Sequence, residues 1–320
     1  AIAIARRVIG RAGMPVVVGV TAPGFAAMRS LAREVMDAGA AGVMIAPPNT
    51  LRTDDQIVNY YAQGDEPTFE QPTFRRSNAF KATAREVKAV RSAVGINEVQ
   101  NFGKFAVTGK DARKWLSTIM AGRIPVAGRM SLTPMLSPKG RLMGDFTVSC
   151  LDENNFQLTA SYGAQEIHYR WFMKNLKGDV RVRNVSDRRT GFQIAGPKSR
   201  ELLSLCTRYD VSTVKFLDVV RMTVGQVDCT VQRVSYTGDL GFEIYCDPMD
   251  QRQLWQTLWN AGQPLGITPF GMRAMMSLRL DRHFGSWLSE FSPDYTAAET
   301  GMDRFISFKK PDDFIGRKAA

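Results

Sequence analysis

Phe102, Asp145, Tyr236, Glu243 and Arg273 are the side chains whose types and surroundings could do chemistry. Asp145 lies in Leu132-Thr-Pro-Met-Leu-Ser-Pro-Lys-Gly-Arg-Leu-Met-Gly-Asp-Phe-Thr147. The turn Ser137-Pro-Lys-Gly140 makes the flanks, 132–136 and 142–148, a hairpin. A carboxylate among apolar residues on the returning strand is either hydrogen-bonded as structure or lines a polar pocket. Buried ionised carboxylates need partners, and a ligand's N–H groups are one source. Tyr236-Thr-Gly-Asp-Leu-Gly241 is a turn that feeds the strand Phe242-Glu-Ile-Tyr245. Glu243 shares a face with neither Phe242 nor Ile244, so it reads as a solvated strand face or as a pocket group. Thr237-Gly-Asp-Leu-Gly241 is a weak phosphate-loop signal, because it lacks the Lys-Ser/Thr of a P-loop. Phe102 stands in Val99-Gln-Asn-Phe-Gly-Lys104, and Arg273 in Phe270-Gly-Met-Arg-Ala-Met-Met-Ser-Leu-Arg-Leu280.

In this order and at these intervals the segments are far more specific than any one alone. RRSNAFKATAREVKAVRSAVGINEVQNFGKFAVTG, SLTPMLSPKGRLMGDFTV, YTGDLGFEIY, FGMRAMMSLRLDRHFGSW and ETGMDRFISFKK resemble the folate-binding aminomethyltransferase family. That family holds the glycine-cleavage T-protein and the C-terminal parts of dimethylglycine and sarcosine dehydrogenases, and the dimethylglycine dehydrogenase branch looks closest. The match covers about residues 74–320. The resemblance implies an α+β folate-binding fold and tetrahydrofolate-dependent one-carbon transfer, forming 5,10-methylenetetrahydrofolate from an aminomethyl or formaldehyde-level donor. Asp145 matches the carboxylate of the family's GGxxDD-type hairpin and is the catalytic candidate. Tyr236 and Glu243 match the folate-pocket residues of its GYTGEDGxEI motif, and Phe102 stands where a residue lines the pterin site. Arg273 departs from the pattern: T-proteins place a folate-contacting arginine two residues later, where this chain has Met275. A carboxylate beside an aminomethyl or iminium carbon can take up a proton and stabilise the cation. The implied partners are folate and a small amine donor, with a flavin dehydrogenase domain or a lipoyl carrier protein as the source of the one-carbon unit.

Alternating strands are predicted over 104–108, 145–149, 156–159, 180–183, 191–195 and 229–234. Helices are predicted over 82–93, 110–120, 165–175, 198–206 and 251–261, which makes the region α+β without a strict βαβ repeat. Residues 1–63 differ. Buried strands over 15–21 and 41–46 flank a helix over 25–38 that Gly39 should end, and Thr53 reads as the N-cap of a second helix. This β-α-β-α piece resembles a slice of the (β/α)₈ barrels of the dihydrodipicolinate synthase / N-acetylneuraminate lyase family. Those enzymes use a Schiff-base lysine, and the segment has none, its first lysine being Lys81. It is expected to be a non-catalytic appendage, joined through a polar linker at 64–73.

Over its 320 residues the chain is 44% hydrophobic and 10% aromatic, enough for a sizeable core and too regular for a disordered or collagen-like chain. The net charge of +11 favours anionic small molecules, since no nucleic-acid recognition motif accompanies the scattered Lys and Arg. No apolar run approaches the ~20 residues needed to span a bilayer. Four Cys without CxxC spacing read as reduced thiols in a cytoplasmic setting, and two distant His do not suggest a metal site. No G-x-G-x-x-G follows a strand, so FAD binding is not supported. The sequence stops at Phe314-Ile-Gly-Arg-Lys-Ala-Ala320, where the family continues into a C-terminal β-barrel, so the expected fold lacks that barrel. Two competing readings remain: a folate-binding module without turnover, and a remnant of a Schiff-base lyase.

Overall fold

The computed structural model describes residues 2–11, 16–20, 25–45, 74–99 and 101–320. Contacts divide the chain into two compact units, 1–79 and 80–320. The first unit contains α1 (Ile2–Ile9), β1 (Val17–Val20), α2 (Phe25–Asp37) and β2 (Gly42–Ile45). β1 and β2 pair in parallel, so the crossover runs through a helix, as parallel pairing requires. Val35 and Ala40 form its buried centre, with Ala5, Ile9, Val18, Leu31 and Ala32 against them. Gly39 adopts φ +92°, which lets the Ala40 N–H reach back to the Val35 carbonyl at 3.1 Å and the Gly39 N–H to Met36 at 2.9 Å. That pair of bonds satisfies carbonyls the helix end would orphan. The sequence reading does not anticipate α1. The helix expected after Thr53 and the linker at 64–73 lie outside the described residues.

The second unit runs α3 (Phe80–Ser92), β3 (Val94–Glu98), β4 (Phe102–Thr108), α4 (Ala112–Ile119), β5 (Met130–Leu136), β6 (Leu142–Asp152), β7 (Asn155–Ser161), α5 (Gln165–Lys174) and β8 (Arg181–Asn184). It continues with β9 (Thr190–Ala195), α6 (Ser199–Cys206), β10 (Val219–Val224), β11 (Val227–Gln232), β12 (Gly241–Cys246), α7 (Gln251–Gly262), β13 (Ile267–Pro269) and α8 (Met272–Leu280). The predicted strands and helices all appear here, within a few residues at their ends. β3, β10, β13 and α8 are additions. The predicted hairpin is β5–β6, and Asp145 is opposite Pro134. Pro134 has no N–H to give the ladder, which is tolerated because β5 is an edge strand.

Two open sheets carry the unit: a six-stranded one in the order β10-β11-β12-β9-β3-β13 and a five-stranded one in the order β5-β6-β7-β4-β8. All pairings are antiparallel except β3 with β13. Each sheet buries one apolar face. Phe192, Ile194, Phe242 and Ile244 pack with Leu202 and Leu203 of α6 and Leu254 and Leu258 of α7. Phe105, Val107, Phe146, Val148 and Leu158 pack with Trp115 and Leu116 of α4 and Phe172 of α5. Each such side chain contributes about 1.5–3 kcal/mol on burial.

The opposite faces are polar. Asp145, Thr147, Thr159 and Lys104 alternate with the apolar set on β6, β7 and β4. Gln232, Glu243, Gln193 and Asn97 form one row across β11, β12, β9 and β3. These faces approach each other, since Lys104 of one sheet acts electrostatically on Glu243 of the other. The unit is thus two helix-backed sheets with a polar layer between them.

Candidate functional site

The polar layer opens into a cavity of about 400 Å³. Phe102, Asp145, Tyr236 and Glu243 all line it. Arg273 does not, and is exposed on α8; the cavity side of that helix is Met272, Met275 and Met276. Helical spacing explains this. Positions i, i+3 and i+4 share a face, and Arg273 is turned ~100° from Met272. The structure thus places Arg273 outside the lining of this cavity. The arginines that do line the cavity are Arg233 and Arg304.

Asp145 is half-buried, and among the described residues no side chain hydrogen-bonds its carboxylate. Burial pushes its carboxyl up to about 6, and only its own backbone amide opposes this. Behind it, a Cβ on Gly144 would come within 2.6 Å of His168 Nε2, so glycine is what admits the imidazole there. His168 is fully buried, its ring 4.7 Å from Phe146 and 5.7 Å from Trp287. Burial drives its pKa down to about 4, so it backs Asp145 as a neutral ring.

Glu243 is more enclosed. Burial pushes its carboxyl up to about 7, opposed by the Tyr245 hydroxyl, which donates to Oε2 at 2.7 Å, and by the charge of Lys104. Lys104 is fully buried, and its Nζ donates to the Phe102 carbonyl at 2.9 Å and the Ser186 carbonyl at 3.3 Å. Sequence reasoning missed Lys104 and Tyr245 as site residues. Tyr245 had a signal, since i and i+2 on a strand share a face. Lys104 had none, because it comes from the other sheet.

The turn before β12 places Tyr236. Ser235 Oγ and Thr237 Oγ1 are hydrogen-bonded at 2.7 Å, and Gly238 takes φ +78°. Arg91 of α3 pins this turn through both Asp239 oxygens at 2.8 and 2.9 Å and ties it to Asp281 beyond α8. The Tyr236 hydroxyl donates to the Gly285 carbonyl at 2.6 Å, and its ring stacks on Phe284 at 6.2 Å. Burial raises its pKa to about 12, so it is a neutral donor at physiological pH. The loop after α8 supplies His283, Phe284, Gly285, Ser286 and Trp287 to the wall. Buried Arg279 fastens this loop: Nη1 donates to the Phe284 carbonyl at 2.6 Å and to Glu290 at 2.9 Å, and Nη2 to Glu290 at 3.1 Å.

The arrangement suits a flat, polar-edged, partly apolar molecule. Aromatic and methionine side chains supply faces for packing, and two carboxyls with raised pKa values supply acceptors or donors for a heterocycle edge. Thr159 Oγ1, Gln193 Oε1 and both amide atoms of Gln232 are buried around Glu243 without a partner. Such atoms are costly unless water or a ligand satisfies them. Among the described residues, no group of His, Cys, Asp and Glu is arranged to hold a metal ion. Among the described residues no helix is long and apolar enough to cross a membrane.

The profile of the GCVT N-terminal domain matches residues 56–310. Mitochondrial dimethylglycine dehydrogenase of Rattus norvegicus is 36% identical over 265 residues, which are 81% of this chain and 31% of that protein. Its Homo sapiens counterpart is 36% identical over the same length, 30% of that protein. Aminomethyltransferase of Clostridium botulinum (strain Okra / Type B1) is 33% identical over 256 residues, 78% of this chain and 68% of that protein. The chain therefore spans 31% of the length of the rat relative. The crystal structure of glycine cleavage system aminomethyltransferase T from Bartonella henselae superposes with a TM-score of 0.66 at 22% identity, covering 74% of this chain and 64% of that one. That likeness shows the shared fold.

Proposed function

Because the chain belongs to the aminomethyltransferase family of the GCVT N-terminal domain, we propose that it carries out tetrahydrofolate-dependent one-carbon transfer and yields 5,10-methylenetetrahydrofolate. The observation that carries this reading is the pair Asp145 and Glu243, two carboxyls of raised pKa in one aromatic-lined cavity. Tetrahydrofolate fits the donor set: Phe102 and the methionines of α8 would hold its ring, and Glu243 with the unpartnered polar atoms beside it would hold its amide-like edge. Bound there, it supplies the amine nitrogens that receive the one-carbon unit.

The chain's own residues would do the rest. Glu243, held by Tyr245 and Lys104, orients the heterocycle edge. Tyr236 and the Arg279-fastened loop close one wall and limit water. Asp145, ionised for most molecules at pH 7, would stabilise the cationic donor carbon, take the proton that the receiving amine loses and return it to the amine that the donor carbon gives up. The donor is an aminomethyl or iminium group presented by a small amine, a flavin dehydrogenase domain or a lipoyl carrier. Four buried free thiols suit a reducing compartment such as the cytoplasm.

Calorimetry with tetrahydrofolate, followed by turnover with formaldehyde or an aminomethyl-lipoyl donor, tests this. Asp145→Asn keeps the shape but cannot act as a base, and it should lower turnover by at least about 10²-fold while leaving folate affinity and melting temperature near wild type. Turnover that persists in this variant would make Asp145 structural. Folate binding without turnover in the wild type would favour a binding module.

A further inference from the structure

Lys310 is only 7% exposed, and the chemistry described above does not use it. Its Nζ donates to the carbonyls of Ser117 at 2.6 Å, Met120 at 2.5 Å and Gly122 at 3.3 Å, and lies 4.7 Å from the centre of the Phe314 ring. An ammonium has three N–H donors, so this one is filled. The acceptors are carbonyls at the C-terminal end of α4, which the helix itself leaves without partners and where its dipole is negative. Neighbouring amides complete the clasp. The Ile315 N–H donates to the Thr118 carbonyl at 3.0 Å, and the Ser307 N–H to the Ala121 carbonyl at 3.0 Å. Lys309, one residue earlier, is exposed.

Residues 302–310 form a strap that belongs to neither sheet, and its one regular piece is the 3₁₀ turn Asp303–Phe305. Met302, Arg304 and Phe305 of this strap line the cavity. No ladder sets the distance of the strap from the opposite wall, so its ends must. At one end the Met302 N–H donates to the Ala297 carbonyl at 2.8 Å; at the other stands Lys310. Strap and helix end meet without slack, since a Cβ on Gly122 would come within 2.8 Å of the Phe305 carbonyl oxygen. We propose that Lys310 is a positioning residue, which clasps the end of α4 and thereby fixes the cavity wall that Met302, Arg304 and Phe305 form. A neutral stem of similar length would leave the carbonyls it fills buried and unpartnered, a loss the strap relieves only by moving to admit water. This role deepens the functional reading above and rests on it only for the choice of ligand.

The test uses the full chain as wild type, Lys310→Met, Lys310→Arg and, as an exposed control, Lys309→Met. Lys310→Met keeps a stem and removes every donor. Hydrogen exchange read by mass spectrometry should quicken over 302–307 in this variant while β12, in the other sheet, keeps its protection. Calorimetric affinity for tetrahydrofolate should fall about tenfold or more, the loss expected when buried acceptors are left unpartnered. Turnover at saturating folate should be retained, because Lys310 touches neither ligand nor reacting atoms. Lys310→Arg returns the charge and the donors and should recover part of the affinity, and Lys309→Met should match wild type. If the Met variant does not fold, Lys310→Gln, which keeps N–H donors on a shorter uncharged stem, carries the same two measurements. A lower melting temperature with wild-type affinity, or exchange that quickens equally in β12, makes Lys310 a general stability residue and overturns the positioning role. If tetrahydrofolate fails to bind the wild type, the functional reading fails, and exchange over 302–307 against β12 alone upholds or overturns the role of Lys310.

Discussion

Asp145 and Glu243 share a cavity but differ in what opposes their burial. Glu243 accepts from Tyr245 and feels Lys104, yet its carboxyl still rises to about 7. Asp145 has no such company and rises to about 6. A folded-state pKa above the ordinary value of 4.5 means that the native state holds the proton longer than the unfolded chain. Stability from Glu243 is therefore greatest below about pH 4.5 and falls as pH rises through about 7. Glu243→Gln removes this dependence, and its amide oxygen can still accept from Tyr245. The unfolding free energy of the variant relative to wild type, measured in urea, should thus rise from pH 5 to pH 8, with a slope of about 1 kcal/mol per pH unit at its steepest. Parallel curves for the two proteins would show that Glu243 titrates normally. His168 acts in the opposite direction but is common to both, so it cancels. Motif identity made the cavity positions of Asp145, Tyr236, Glu243 and Phe102 legible in the sequence. Arg273 is not among the lining residues, because the motif sets its place along α8 but not its angle around the helix.

The turn from Ser235 to Asp239 and the start of β12 form a single mechanical part. Gly241 opens β12, and a Cβ there would come within 2.7 Å of Ser235 Cβ and 2.8 Å of the Ile194 carbonyl. Neither atom is the free end of a long side chain. The turn would have to shift, carrying Tyr236 away from the Gly285 carbonyl. Gly241→Ala should therefore cost about 1–3 kcal/mol in urea unfolding, as overpacking does. It should also weaken tetrahydrofolate binding; unchanged stability and binding together would show that the turn yields freely. Strands with an apolar–polar alternation, such as β4 and β7, were legible from sequence. β3 was not: Val94-Gly-Ile-Asn-Glu98 is short and glycine-interrupted, and it is a strand because β9 and β13 flank it.

Across the whole second unit, polar residues are buried between two sheets instead of turned to solvent. This explains why the sequence allowed Glu243 to read as a solvated strand face. Alternation reports which side is polar, and only tertiary structure reports whether water or another sheet covers it. Ser149, Gln157, Thr159, Gln193 and Gln232 all keep unpartnered buried atoms on those facing sides. Every residue that lines the cavity belongs to the unit 80–320. Cleavage by a glutamate-specific protease at Glu70 should therefore leave tetrahydrofolate affinity unchanged. Loss of binding on cleavage, measured by calorimetry on the nicked protein, would assign the first unit a part in the site.

Trp287 gives the cavity a built-in optical signal. Of the five tryptophans, it alone lines the cavity. Trp255 and Trp259 stack on each other at 5.2 Å against the other apolar core, and Trp115 packs on Phe172 at 5.8 Å. Its neighbour His168 is neutral above about pH 4, so the imidazole does not quench it as a cation through the physiological range. A heterocycle packed beside the indole replaces its surroundings, so filling the cavity should change the emission of Trp287 in proportion to occupancy. Trp287→Phe should abolish that change, while the remaining four tryptophans hold a constant baseline.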